Sequence, residues 1–237
     1  MNALSGPALS DFLPLFLAGM AVNFEIAAIA IGLGIVLGIL LAATRLYGGF
    51  PGTAAASLIA LMRAAPTFVV MFFLLNTMSR EASVSGGLFA LSGVMTVALS
   101  LVPYAGAYIA DSAIEAFQQL RQGSPLAGLL FLPNVARAFF VLVMSSSAGA
   151  AIGVTEGIAV ILHQAEYLPA LDDKMVLFAI GIVFFGVPLQ AGFAVLTLIQ
   201  RRLGRIATRN RKDLVPGTTG DINLHENARH VLGVHKV

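Results

Sequence analysis

Asp111–Pro133, DSAIEAFQQLRQGSPLAGLLFLP, is the longest break in an otherwise very apolar sequence. Its first half is polar and rich in helix-forming residues, a Gly-Ser-Pro turn follows at 123–125, and its second half is apolar. This pattern predicts two short helices joined by a tight turn. Because hydrophobic stretches lie on both sides, the hairpin would sit at one face of a membrane. There it would either present a small protruding surface to a soluble partner or serve only as a solvated connection.

The composition places the chain in a lipid bilayer. Of its 237 residues, 58% are hydrophobic and only 11% are charged, and the mean hydropathy is +0.89. In a typical soluble domain about a quarter of the residues are charged. The absence of cysteine excludes disulfides, a thiol nucleophile and cysteine metal sites. No Lys or Arg precedes the first hydrophobic stretch, so we expect that stretch to be retained rather than removed as a secretory signal.

Five hydrophobic stretches have about the 20 apolar residues that a membrane-spanning helix needs. They cover approximately residues 16–43, 56–75, 87–110, 135–152 and 176–199. The sequence therefore predicts an all-α integral membrane protein with five transmembrane helices in one bundle.

The basic residues predict the orientation of that bundle, because loops rich in Lys and Arg tend to stay in the cytoplasm. Arg45, Arg121 and Arg137 fall on one side, together with a cluster of six basic residues within 201–212. Only Arg80 and Lys174 fall on the other side. We therefore expect the N-terminus outside, and the C-terminus and the 111–133 loop in the cytoplasm.

Two charged residues of the predicted spans are candidate functional residues. A charged side chain at the centre of a bilayer costs about 2.5–3.5 kcal/mol on insertion scales. Glu25 should thus face a protein interior or reach outward to the membrane surface. Arg63, a basic residue within the predicted second span, either belongs to a functional site or reaches to the surface from near a helix end.

Small residues mark two places where the backbone is expected to pack closely or to unwind. Gly34 and Gly38 form a GxxxG pattern, which predicts packing against a neighbouring helix. The run Ser145–Gly153, SSSAGAAIG, suits either close packing or an unwound segment that lines a cavity. It includes Ser146 and Ser147, and Glu156 follows it. We place Glu25 and Glu156 in the outer half of the bundle.

The sequence carries no motif that indicates an enzyme. There is no phosphate-binding loop, no Ser/His/Asp set, no metal-ligand spacing and no basic patch with interleaved aromatics for nucleic acid. Residues 1–212 are predicted to form the transmembrane domain. Residues 213–237 read as a flexible cytoplasmic tail.

From about Gly19 to Arg202 the chain resembles the permease subunits of bacterial ABC importers for polar amino acids, of the histidine, arginine and glutamine type. The similarity lies in the opening of the first span, in LIALMRAAP with its Arg63 and Pro66, in AYIAD at 107–111, and in AIGVTEG with Glu156. The central loop resembles the family's EAA motif, through which such a permease seats in its ATPase.

The chain departs from the family pattern within that loop and near the fourth span. Glu115 and Ala116 fit the EAA motif, but Phe117 replaces its second alanine, and the loop is shorter than usual. Arg121 stands where the motif has glycine, and Gly123 follows two residues later. Near the fourth span, the family's Lys and Thr-Ser pair correspond to three residues here: Met144, Ser146 and Ser147.

The resemblance implies a permease of the bacterial inner membrane that forms a translocation path as a homo- or heterodimer. It implies two ATPase subunits that use ATP, an extracytoplasmic binding protein, and no cofactor on this chain. The coupling loop would comprise Glu115, Ala116, Gln119, Arg121, Gly123 and Pro133. The candidate path residues are Glu25, Arg63, Ser146, Ser147 and Glu156.

Three alternatives to this function remain open. One is another ABC import system, such as the methionine type. A second is a secondary transporter or channel, which should show paired broken helices in two internal halves. A third is an assembly protein that keeps the fold and has lost coupling.

Overall fold

The computed structural model describes residues 6–84, 91–123 and 127–213, with side chains described for 11–77, 91–123 and 131–202. Within these ranges the chain is almost entirely helical and contains no strand. The elements are α1 (Gly6–Tyr47), α2 (Gly49–Ala64), α3 (Thr67–Val84), α4 (Gly93–Arg121), α5 (Ala127–Ser145), a 3₁₀ helix (Ser146–Ile152), α6 (Gly157–Glu166) and α7 (Leu171–Asp213). The prediction of an all-α membrane protein is confirmed.

Helices α1 and α4 form the centre of the bundle and run parallel to each other. A Cβ atom added at Gly34 would lie 2.5 Å from the Cβ of Ala105, and one added at Gly38 would lie 2.7 Å from the Cβ of Ile109. Only glycine permits so close an approach. The packing predicted from the GxxxG pattern is therefore confirmed. Because both residue numbers rise together along the contact, the two helices point the same way.

The predicted second span, residues 56–75, is not one straight helix. The chain bends by 93° between Gly49–Ala64 and Thr67–Thr77. Ala65 at the bend is extended, with φ −68° and ψ 118°, because the proline that follows disfavours the helical conformation of the residue before it. In the part of the chain that the structure describes, four helices are long and apolar enough to cross a membrane, or up to five if this bent pair counts as one span.

The central loop also differs from its prediction. No short helix precedes the turn, because α4 continues without a break from Gly93 to Arg121 and no helix-breaking residue lies within 111–121. Gly123 then turns the chain with φ +81°, and residues 124–126 lie outside the described ranges. Helix α5 begins at Ala127 and includes Pro133. The hairpin therefore consists of the end of one long helix and the start of another.

The run of small residues after α5 changes from an α-helix to a 3₁₀ helix, which is wound more tightly rather than unwound. Close packing, the other interpretation of this run, is seen at Gly149, where an added Cβ would lie 3.2 Å from the Cβ of Val154. Residues 146–152 form the 3₁₀ helix, which ends at Gly153 with φ +82°. Helix α7 then runs antiparallel to α5, since Asn134 and Gln200 line one cavity and the rings of Phe140 and Phe193 lie 5.4 Å apart. It extends beyond the predicted fifth span at both ends and reaches Asp213. Residues 214–237, the predicted tail, lie outside the described part of the chain.

Candidate functional site

A buried polar network joins α1, the 3₁₀ helix and the start of α6. Asn23, Ser146 and Glu156 have no exposed surface. The side-chain amide of Asn23 donates to Ser146 Oγ at 2.8 Å and to Glu156 Oε2 at 2.9 Å. The backbone N–H of Gly157 donates to Asn23 Oδ1 at 3.0 Å. The side chain of Asn23 thus donates hydrogen bonds to, and accepts one from, two segments that lie far from it in the sequence.

Glu156 is the N-cap of α6. Its carboxylate accepts the backbone N–H of Ile158 at 3.0 Å and that of Ala159 at 2.9 Å. The first N–H groups of a helix have no partner within the helix and carry its positive partial charge. A carboxylate at this position is therefore stabilised both by hydrogen bonds to these groups and by attraction to the helix dipole. Ser146 Oγ in turn donates to Val143 O at 2.7 Å. Within the described ranges no buried side-chain N or O atom lacks a partner.

The other two candidate path residues of this region do not join the network. Ser147, the next residue of the 3₁₀ helix, is half-buried, and Glu25 is exposed on the surface of α1. The structure therefore brings Ser146 and Glu156 together through Asn23, and it leaves Glu25 on a different face of the helix.

A second polar cluster lies at the opposite end of α1. Arg63, in the last turn of α2, donates to the carboxylate of Asp111 on α4. Arg45 Nη1, near the end of α1, lies 3.9 Å from Asp111 Oδ1. These side chains remain 42–58% exposed, and ion pairs of this kind contribute about 0–1 kcal/mol. The cluster leaves one net positive charge near the ends of α1 and α2, beside α4.

The predicted coupling residues lie on the hairpin of α4 and α5. Glu115, Ala116 and Gln119 line a cavity between α4, α5 and α7, and Gln119 Nε2 donates to Glu115 Oε1 at 3.2 Å. Arg121 and Gly123 are exposed at the turn, whereas Pro133 is buried. An exposed turn with a polar α4 side can contact a soluble partner.

Three residues of these clusters were missed as site residues in the sequence. Asn23 lies in the first predicted span but is not among the candidate residues, Arg45 serves only as an orientation signal, and Asp111 only as the start of the loop and the end of AYIAD. One signal could have indicated the ion cluster: a lone carboxylate at the end of one span can neutralise a lone Arg at the end of another.

Comparison with known proteins agrees with this arrangement of helices. A solved structure described as the crystal structure of an amino acid ABC transporter with histidines matches at a TM-score of 0.66. The match covers 84% of this chain and 99% of that chain, at 16% sequence identity. This chain has that transporter's fold. No protein-family model matches the sequence, and no curated protein matches it.

The ABC-transporter fold was the fold that the sequence resemblance implied, and that expectation is confirmed. The likeness extends over nearly all of the matched chain, so it includes the α1–α4 core and does not rest on one apolar hairpin. At 16% identity it establishes the fold of a multi-pass membrane protein. Substrate and partners belong to the proposal that follows.

Proposed function

We propose that this chain is the membrane-spanning permease subunit of an ATP-driven amino-acid importer of the bacterial inner membrane. The observation that carries the proposal is the shared fold with an amino acid ABC transporter over 99% of the matched chain. In this proposal the chain forms the translocation path as a homo- or heterodimer. A binding protein delivers the amino acid outside, and two ATPase subunits hydrolyse ATP in the cytoplasm.

The course of the helices supports five crossings. Helices α1 and α4 are parallel, so the bent pair α2–α3 must return the chain to the side on which α1 began. Helix α5 runs back from the hairpin, and α7 runs antiparallel to α5, with Gln200 near Asn134 and Phe193 near Phe140. With the basic residues Arg45, Arg121 and Arg137 on one side, the N-terminus would be outside and the hairpin in the cytoplasm.

The length of α4 supports a coupling role for the hairpin. At about 1.5 Å per residue, its apolar part 93–110 spans about 27 Å, close to the roughly 30 Å hydrocarbon core of a bilayer. The polar part 111–121 continues for about another 16 Å. The turn at Gly123 would therefore stand clear of the lipid, where an ATPase subunit could contact Glu115, Gln119 and Arg121.

Glu25 supports a path between subunits rather than within one chain. Its side chain is exposed on a membrane-spanning helix, and contact with lipid tails would cost about 2.5–3.5 kcal/mol at the bilayer centre. A face lined by water or by a second subunit avoids that cost. Ser147 and Arg63 are the other path candidates with accessible surface, whereas Ser146 and Glu156 would act by holding the 3₁₀ helix in place.

One observation favours a second candidate, an assembly protein that has lost coupling. Within the described residues, no helix separate from α4 and α5 lies at the hairpin, although the family's loop is expected to form such a knob. The experiment below separates the two candidates.

The test uses the Gly123→Val variant in nanodiscs with the ATPase that co-purifies with the chain. A Cβ at Gly123 meets nothing within 4 Å, so the cost is the left-handed backbone, about 1–2 kcal/mol. Gly48→Val is the control for backbone strain, because Gly48 has φ +83° and ψ −166°, a conformation essentially restricted to glycine, and its added Cβ also meets no described atom within 4 Å. We expect both variants to insert, and only Gly123→Val to lose ATPase retention or stimulation by loaded binding protein.

A second variant avoids backbone strain altogether. Glu115→Ala combined with Arg121→Ala removes two exposed charges of the hairpin and should also lower stimulated hydrolysis. Normal stimulation in both hairpin variants would show that the hairpin is only a connection and would favour the assembly protein.

A further inference from the structure

A polar cavity of about 160 Å³ lies beside the hairpin, between α4, α5 and α7. Its polar lining consists of Ser112, Glu115, Gln119, Asn134 and Gln200, and Phe131 closes one wall. A single water needs only about 10–15 Å³ by the same measure. The cavity is therefore large enough for a molecule of several heavy atoms, yet smaller than the roughly 300–1,000 Å³ of drug-sized pockets.

The charge of the cavity lining favours a ligand with a positively charged group. Glu115 is its only formally charged member, and one of its oxygens accepts the amide of Gln119. The ion pairs found among the described side chains do not include Glu115. A carboxylate at the wall of a polar cavity attracts an ammonium or guanidinium group and forms charge-assisted hydrogen bonds with it.

The neutral polar side chains of the lining favour a ligand that also carries a negatively charged group or another hydrogen-bond acceptor. Asn134 and Gln200 each carry two amide N–H donors, and the Ser112 hydroxyl can also donate. The tip of a lysine side chain has donors only and would leave these groups without an acceptor. A metal ion fits poorly, since the described residues hold no group of three His, Cys, Asp or Glu. A ligand with both an ammonium and a carboxylate group satisfies both requirements.

We propose that this cavity binds a free α-amino acid. Its ammonium group would lie on Glu115, and its carboxylate would accept from the side chains of Asn134 and Gln200. The binding chemistry depends only on the cavity. The placement of the site on the cytoplasmic side rests on the proposed function, and it would put the site within reach of an imported amino acid.

The absence of cysteine from the chain allows a local test. Ala116 lines the same cavity, so an Ala116→Cys variant of the full-length protein in nanodiscs carries one thiol there. The measurement is the rate of its alkylation by N-ethylmaleimide in the presence of L-glutamine, a probe without net charge. At a concentration about ten times Kd, occupancy should slow alkylation by about tenfold.

Matched variants and ligands define the expected pattern. Adding Glu115→Gln should abolish the protection, and adding Gln200→Leu should weaken it. Adding Glu166→Gln should leave it unchanged, because Glu166 lies at the end of α6 on the opposite side. N-acetyl-L-glutamine, which lacks the ammonium group, should not protect. A thiol introduced at the exposed Thr155 should react at the same rate with and without L-glutamine.

Three results would overturn the inference. The first is that L-glutamine at its highest soluble concentration does not protect Ala116→Cys from alkylation. The second is that the acetylated compound protects equally well, and the third is that protection is undiminished in the Glu115→Gln background. ATP-driven uptake by the unaltered chain is measured separately. Uptake without protection would refute the amino-acid site and leave the proposed function intact. Protection without uptake would refute the proposed function and leave the amino-acid site intact.

Discussion

Replacing Asn23 by alanine should destabilise the bundle more than any other removal of a single polar group in the described ranges. Asn23 is fully buried and makes three side-chain hydrogen bonds, to Ser146, to Glu156 and from Gly157. All three partners lie more than 120 residues along the chain, so no local structure replaces them. The substitution therefore separates α1 from the 3₁₀ helix and α6.

The expected loss in the free energy of unfolding follows from the hydrogen bonds that are lost and the polar groups that stay buried. The hydrogen bond to the carboxylate of Glu156 contributes about 1.5–3 kcal/mol, and the backbone N–H of Gly157, left without an acceptor, costs about 1–3 kcal/mol. Glu156 keeps the N–H groups of Ile158 and Ala159, so its charge is not left uncompensated. The expected loss is about 2.5–6 kcal/mol. The lower end applies if the unfolded chain finds other partners in the membrane, as such chains often do.

The assay is reversible unfolding in SDS, followed by circular dichroism, with Asn76→Ala as the matched control. Asn76 is exposed and donates only to Phe72 O, one turn earlier in its own helix, so its loss should change the free energy of unfolding by no more than about 0.5 kcal/mol. Similar losses in the two variants would refute the reasoning. Asn23→Asp, which brings two carboxylates together, should be partly rescued by Glu156→Gln.

Two further predictions concern packing and topology. Gly34→Ala should destabilise the bundle by about 1–3 kcal/mol by overpacking α1 against Ala105, whereas Gly32→Ala, with nothing within 4 Å of the added Cβ, should be neutral or stabilising; equal effects on unfolding in SDS would contradict the parallel α1–α4 contact. A topology reporter fused after Arg205 should be active in the cytoplasm and one at Asn2 outside, and detection of both ends on one side would rule out five crossings.

The features that the sequence predicted correctly are those set by neighbouring residues. Gly34 and Gly38 recur on one helix face, so a close contact was expected without knowing the partner. The SSSAGAAIG run lacks large side chains, and one interpretation of it, close packing, agrees with the short distances around Gly149. The predicted turn begins at Gly123, which adopts φ +81°.

The features that were missed depend on residues far apart in the chain. Hydropathy alone cannot detect a bend, so residues 56–75 were read as one span although Pro66 carried the local signal. Asp111 pairs with Arg45 and Arg63 only because α1 and α4 are parallel. Glu156 was placed near the translocation path from its charge. Its role as the N-cap of α6 depends on where that helix begins, and its contact with Asn23 depends on the tertiary fold.

The two polar clusters lie about one membrane thickness apart along α1. From Asn23 to Arg45 the helix rises about 33 Å, close to the roughly 30 Å of the hydrocarbon core. Gly34 stands halfway between them and packs on Ala105 with no polar contact. Hydrogen bonds and ion pairs thus hold α1 at two levels about one hydrocarbon thickness apart, and close backbone packing holds it between them, where unpaired polar groups would be costly. Glu25, two residues from Asn23, lies within the apolar stretch Asp11–Tyr47 and is exposed there. An exposed carboxylate at this level needs water or a second subunit beside it, as the proposed path between subunits would provide.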